Sequence, residues 1–418
     1  MSSEAPLDGI TVLDMSRILA GPTATQALAD LGAEVIKIER PGMGDDTRKW
    51  GPPFVTGADG TATGESAYYL CANRGKQSVA IDIATPEGQA LIGRLAERAD
   101  ILVENLKTGD MARYGLDFAS LSRRNPRLIY CSITGFGQTG PNAARAGYDF
   151  LIQGEAGIMS LTGEADGRPL KVGVGVADVM CGMYALSGIL AALQARHRTG
   201  RGQHIDLSLF DTQVAWLINQ GVGYLTDGKV PPRRGNDHPT IVPYGSFPAS
   251  DGDFILAVGN DAQFRRFAAE AGDPAMAEDP RFATNTARVT HRDQLIPRIE
   301  ALTRIRSRAD WLDRMASIGV PCGPVNDLRQ VFEGPQVAAR EMRISLPHPL
   351  AGAGAVELIG NPLKFSDTPV RYGNAPPLLG QHTAEVLGRH LDLDAEELRD
   401  LEASGAIGLP SPASASAP

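Results

Sequence analysis

Two periodicities alternate along the first half of the chain, and nothing else in it narrows the possible folds as far. Apolar, β-rich runs (ITVLDMS, AEVIKIER, SVAIDI, DILVENL, RLIYCSITGFG) are separated by segments such as TATQALADLG, whose apolar residues recur at helical spacing. A strand that is apolar on both faces has to be covered on both faces, so this alternation predicts a parallel sheet wrapped by helices. The segment between SVAIDI and DILVENL marks its own start, because Thr85 is a favoured N-cap and Pro86 suits the first helical position. Further on, an extended run, LKVGVGV, leads into an apolar-faced helix from Val179 to Ala195, with Val179, Met183, Leu186 and Leu190 at helical spacing. The fold class is therefore α/β, with a Rossmann-like parallel sheet.

A chain of 418 residues exceeds the size at which one core usually keeps growing, so two domains are expected. Residues 1–220 make the large α/β domain. From about Leu225 the pattern loosens, and 221–330 read as a smaller α+β domain holding the strand FILAVG and the helix RDQLIPRIEALTRI. Residues 331–418 read as an extended return segment packing on the large domain, with a disordered tail from about 409 (LPSPASASAP).

Several functions are disfavoured by composition. A net charge of −9 offers no general attraction for nucleic acid or anionic lipid. The apolar runs fall short of the roughly 20 residues of a membrane span, and Met1 to Pro6 lack the basic-then-apolar order of a secretory signal, so a cytoplasmic protein with no membrane partner is expected. Cys71, Cys131, Cys181 and Cys322 lie far apart, and the histidines form no H-x-x-x-H pair, so neither a disulfide framework nor a metal site is expected.

Asp178 sits where the extended run meets the helix, the edge at which open α/β sheets hold ligands. Its type and position admit two roles. It can cap the helix, or, held ionised by the helix N-terminus, it can serve as a nucleophile toward an activated acyl group. Gly173 and Gly175 allow close backbone approach, but the spacing is not G-x-G-x-x-G, since Asp178 stands at the third glycine position. Arg40, Lys76 and Arg113 lie near strand ends and would make a phosphate pocket if those ends converge. His238 lies in a Gly- and Pro-containing loop, RRGNDHPTIVPYGSF.

As a set, PLDGITVLDMSRILAGP, LGAEVIKIERPGMGDDTRKWGPPF, ANRGKQS, DILVENL, ITGFGQTGP, GVAD, TGRGQHIDLSLFD, IGVPCGPV and PLLGQHT resemble the family III (CaiB/BaiF, formyl-CoA transferase) coenzyme A transferases, from Pro6 to about Leu387. The resemblance implies that Asp178 is the catalytic carboxylate. It also implies that Ile18, Ala20, Arg40, Lys76, Asn105, Leu106 and Arg113 contact the coenzyme. A CoA thioester would be the co-substrate and a small carboxylic acid the other partner, with no permanently bound cofactor and an interlocked homodimer. Related α-methylacyl-CoA racemases carry a histidine where Tyr148 stands in ARAGYDF, and a neutral tyrosine is a poorer proton shuttle at pH 7. A racemase-type isomerase and a non-catalytic CoA-binding protein are the alternatives. PGMGDDTRKWGPPF, GNDHPTIVPYGSF and PLLGQHT look most like members that use dicarboxylates, with a succinyl-type donor. Arg48 or His238 would then meet the distal carboxylate, and Asp149 would help position the nucleophile.

Overall fold

A computed structural model describes residues 4–410. They divide into two compact units, one made of the described parts of 1–157, 172–222 and 338–418, the other of 158–171 and 223–337. The smaller unit thus also takes in a stretch, 158–171, that the sequence groups with the large domain.

Six parallel strands make up most of the seven-stranded main sheet of the first unit: β1 (Thr11–Asp14), β2 (Glu34–Glu39), β3 (Lys76–Ile81), β4 (Ile101–Glu104), β5 (Ile129–Thr134) and β6 (His204–Ser208). Their order is β3-β2-β1-β4-β5-β6, so the strand order reverses beside β1, as in doubly wound sheets. Alternate residues face opposite layers. Val12 and Ile101 join a core with α1 (Ala20–Asp30), α3 (Asp149–Glu155), α4 (Val176–Thr199) and α5 (Leu209–Ala215). Leu13 and Leu102 join another with α2 (Pro86–Arg98) and α6 (Thr383–Leu391). Each fully buried Leu or Ile in these layers stabilises the fold by about 1.5–3 kcal/mol.

The return segment is more structured than its composition predicts. It forms the hairpin Arg343–Pro347/Ala355–Ile359 and α6, and ends in a two-residue strand, Ile407–Gly408, antiparallel to β3. The PLLGQHT motif fastens it down: His382 Nδ1 accepts the Ser78 N–H and Thr383 Oγ1 accepts the Ala80 N–H. Most of the expected disordered tail lies outside the described residues.

Helix α4 starts earlier and buries a different stripe than its large apolar residues predict. Cys181, Gly182, Ala185, Ile189 and Ala192 face the core, while Leu186 and Leu190 are only partly covered. The cause is close approach. A Cβ on Gly182 would meet the Ala20 carbonyl oxygen at 2.6 Å, so α1 and α4 touch where only small residues fit. By length and apolarity α4 also matches a membrane span, yet half of that span is buried and Arg196 within it pairs with Asp100 at 2.9 Å. LKVGVGV is not a strand; it runs irregularly into Gly175, the N-cap of α4.

The second unit has an antiparallel sheet of Tyr244–Ala249, Gly252–Ala257 and Cys322–Pro324. Its core holds Phe247, Phe254, Phe264, Phe267 and Trp311; Phe254 stacks on Trp311 at 6.0 Å, and the Trp311 indole N–H donates to the Thr303 carbonyl at 2.7 Å.

Candidate active site

Asp178 is the third residue of α4, but it does not cap the helix. Asp149, at the start of α3, does so instead: its Oδ1 accepts the Ala177 N–H at 2.8 Å, and its Oδ2 is fixed by the Gln153 side-chain amide at 2.7 Å. The Asp178 carboxylate therefore makes no hydrogen bond or ion pair to any of the described residues. Burial first, and then the Asp149 charge, push it up to about 7. The helix N-terminus, expected to hold this carboxyl ionised, does not keep it low. Asp149 occupies the end of the helix, and desolvation outweighs what remains of the dipole. The Tyr68 phenol is pushed up to about 12, by burial and next by Asp178.

A cavity opens in front of Asp178, lined by Ile18, Ala20, Asn105, Leu106 and Tyr148 together with Arg17, Lys107 and Arg145. Tyr148 is 63% exposed. One wall depends on a contact between two glycines, since a Cβ on Gly147 would lie 2.4 Å from the Gly135 Cα. An adjoining hollow shares Arg17 and Leu106 with the first and adds Ile38, Ile81 and Arg40, whose side chain is 64% exposed. Arg113 is also exposed and is held by Asp110 and Tyr114, outside both hollows.

The three cations expected to form a phosphate pocket do not converge. Lys76 opens β3 rather than ending it, and its ammonium is wholly buried, donating to Asp14 Oδ2 (3.0 Å), the Pro22 carbonyl (3.1 Å) and Asn73 Oδ1 (3.0 Å). All three of its protons are used, which leaves none for a phosphate. Burial lowers it to about 8, whereas Asp14, despite burial, is brought down to about 2 by Lys76 and then Lys37. Arg48 is likewise closed off from substrate. Its guanidinium is buried and bonded to Glu39, Glu65, the Tyr69 hydroxyl and the Pro377 carbonyl. His238 belongs to the second unit, where its Nδ1 accepts the Thr240 N–H and its ring packs on Tyr244. Arg17, Lys107 and Arg145 escaped the sequence reading. Arg17 directly precedes Ile18, Lys107 directly follows Leu106, and Arg145 lies within ARAGYDF, so adjacency to residues already singled out is the signal that points to them.

Strand order and the cavity at the carboxyl ends of β1, β4 and β5 define a doubly wound α/β protein that takes its ligand at the sheet edge. The chain belongs to CoA-transferase family III, whose family model matches residues 7–383, and it is accordingly an enzyme. It is 50% identical over 382 residues to succinate–glutarate CoA-transferase of Agrobacterium fabrum, covering 91% of this chain and 95% of the relative. To succinyl-CoA:glutarate CoA-transferase of Homo sapiens it is 40% identical over 407 residues, covering 97% and 91%. The crystal structure of a CaiB/BaiF family protein from Brucella suis is similar at a TM-score of 0.82 and 48% identity, over 93% of this chain and all of that one.

Proposed function

We propose that this enzyme moves coenzyme A from succinyl-CoA, or a similar acyl-CoA, to a short dicarboxylic acid through a covalent intermediate on Asp178. The carrying observation is an unpartnered carboxylate facing a cavity, with its helix capped by another residue. The names of the relatives at 50% and 40% identity support the dicarboxylate substrates.

In the proposed sequence an Asp178 carboxylate oxygen attacks the donor thioester carbon. The C–S bond breaks, leaving a mixed anhydride and a CoA thiolate. The thiolate attacks Asp178 Cγ, the donor leaves as a free carboxylate, and an aspartyl-CoA thioester remains. The acceptor carboxylate then attacks Cγ and expels the thiolate, which attacks the acceptor acyl carbon and regenerates Asp178. One thioester replaces another, so no ATP is consumed. Retaining the thiolate in the cavity gives the second attack its proximity advantage.

With Arg48 buried, the cavity cations left to meet CoA phosphates or a distal carboxylate are Arg17, Lys107 and Arg145. The reading includes an interlocked homodimer, supported by exposed apolar residues such as Phe150, Ile218 and Val222. It also includes a cytoplasmic setting, where four unpaired thiols stay reduced.

Mass spectrometry after incubation with succinyl-CoA and hydroxylamine or borohydride trapping tests the mechanism. The expected outcome is a mass change confined to the peptide containing Asp178, and loss of turnover with retained CoA binding in Asp178→Ala. Turnover in that variant refutes the assignment. An acceptor panel tests the substrate: preference for monocarboxylates removes the dicarboxylate reading, and α-deuterium uptake from heavy water without an acceptor favours the isomerase.

A further inference from the structure

Residues 16–18 lie in the link between β1 and α1, and Arg17 and Ile18 line the Asp178 cavity, but no strand or helix holds them. Side chains do so, one peptide at a time. The Ser16 N–H is accepted by Asp14 and its carbonyl accepts the Lys37 ammonium at 2.9 Å. Asn105 takes both ends of Arg17, accepting the N–H at 2.9 Å and donating to the carbonyl at 2.7 Å. The Ile18 N–H is shared between the two oxygens of Asp45, each at 3.2 Å.

Ile18 has φ of +72°, a left-handed conformation that a β-branched residue adopts only under constraint. The constraint is itself anchored. Asp45 pairs with the wholly buried Lys37 at 3.0 Å and also accepts the Thr47 N–H and hydroxyl, at 3.0 and 2.8 Å. The same ammonium that fixes Asp45 therefore also fixes Ser16, two residues before the strained peptide.

We infer that Asp45, backed by Lys37, is a positioning residue that holds Ile18 left-handed and so sets the cavity wall against which the coenzyme lies. This rests on the coenzyme reading above, and Asp45 itself lines no part of the cavity.

Calorimetry with free coenzyme A, run first on the unaltered chain, separates the two ideas: no binding there overturns the coenzyme reading and this inference with it. In a chain that binds, Asp45→Ala should weaken CoA binding about tenfold and raise KM for the acyl-CoA by a similar factor, with kcat nearly unchanged. Where the lone buried Lys37 charge prevents folding, Lys37→Met/Asp45→Ala removes both charges and should show the same split. In an Ile18→Gly background Asp45→Ala should cost less than about threefold, because glycine adopts positive φ without strain. Unchanged affinity, or an equal loss in both backgrounds, overturns the inference and leaves the function standing.

Discussion

Replacing Asp178 with asparagine should make the protein inactive and, above neutral pH, more stable. In the fold its carboxyl is raised from 3.8 to about 7, because burial and then Asp149 disfavour the charged form. With the folded pKa above the unfolded one, the protonated group favours folding at low pH, and that contribution fades as pH climbs toward and through about 7. Three pKa units correspond to at most about 4 kcal/mol, reached only if the site stays dry. The amide of the Asp178→Asn variant never ionises, so its advantage over wild type should grow by about 2–3 kcal/mol between pH 5 and pH 8. Paired urea unfolding curves at the two pH values, followed by circular dichroism, measure the difference. In the wild type, kcat/KM should fall about tenfold per pH unit below about 7, as the nucleophile is protonated. Identical stability–pH curves for the two proteins would show a solvated carboxylate and refute the reasoning.

Asp149→Asn keeps an oxygen for the Ala177 N–H but removes a negative charge, so the acid limb of kcat/KM should move below that of wild type; an unmoved limb separates the two carboxylates. Arg48→Ala strands Glu39 and Glu65 in the interior and should cost about 3–5 kcal/mol of stability. A soluble variant with a normal melting temperature and only a raised acceptor KM would return Arg48 to the substrate site. Gly182→Ala should cost about 1–3 kcal/mol and raise the acyl-CoA KM, because the new methyl must displace Ala20 from the cavity wall; equal KM values would show that α1 yields elsewhere.

The sheet was legible in sequence because its strands are apolar on both faces and its helices carry local start signals such as Thr85-Pro86. In the sequence, the nucleophile role proposed for Asp178 rests on the resemblance alone. Whether an aspartate in a first turn caps its helix depends on whether another acceptor reaches the free N–H, and Asp149 arrives from 28 positions away. Charged residues misled for a related reason. Lys76 and Arg48 look solvent-seeking in one dimension, but Lys76 meets Asp14 across 62 positions, and no local pattern announces that pairing. LKVGVGV had the composition of a strand, yet it forms none and leads irregularly into α4. The strain at Ile18 has no sequence signature, since isoleucine is the last residue one would choose for that conformation.

The edge of the large sheet is finished by residues far downstream of it: His382 meets Ser78 across 304 positions, and the strand Ile407–Gly408 pairs with β3. During synthesis β3 must therefore emerge and wait, one side bare, while the ribosome makes all of the second unit. A bare strand edge invites pairing with other nascent chains, so this protein should lean on chaperones or rapid elongation in proportion to the delay. Truncation just before His382 should turn a brief hazard into a permanent one.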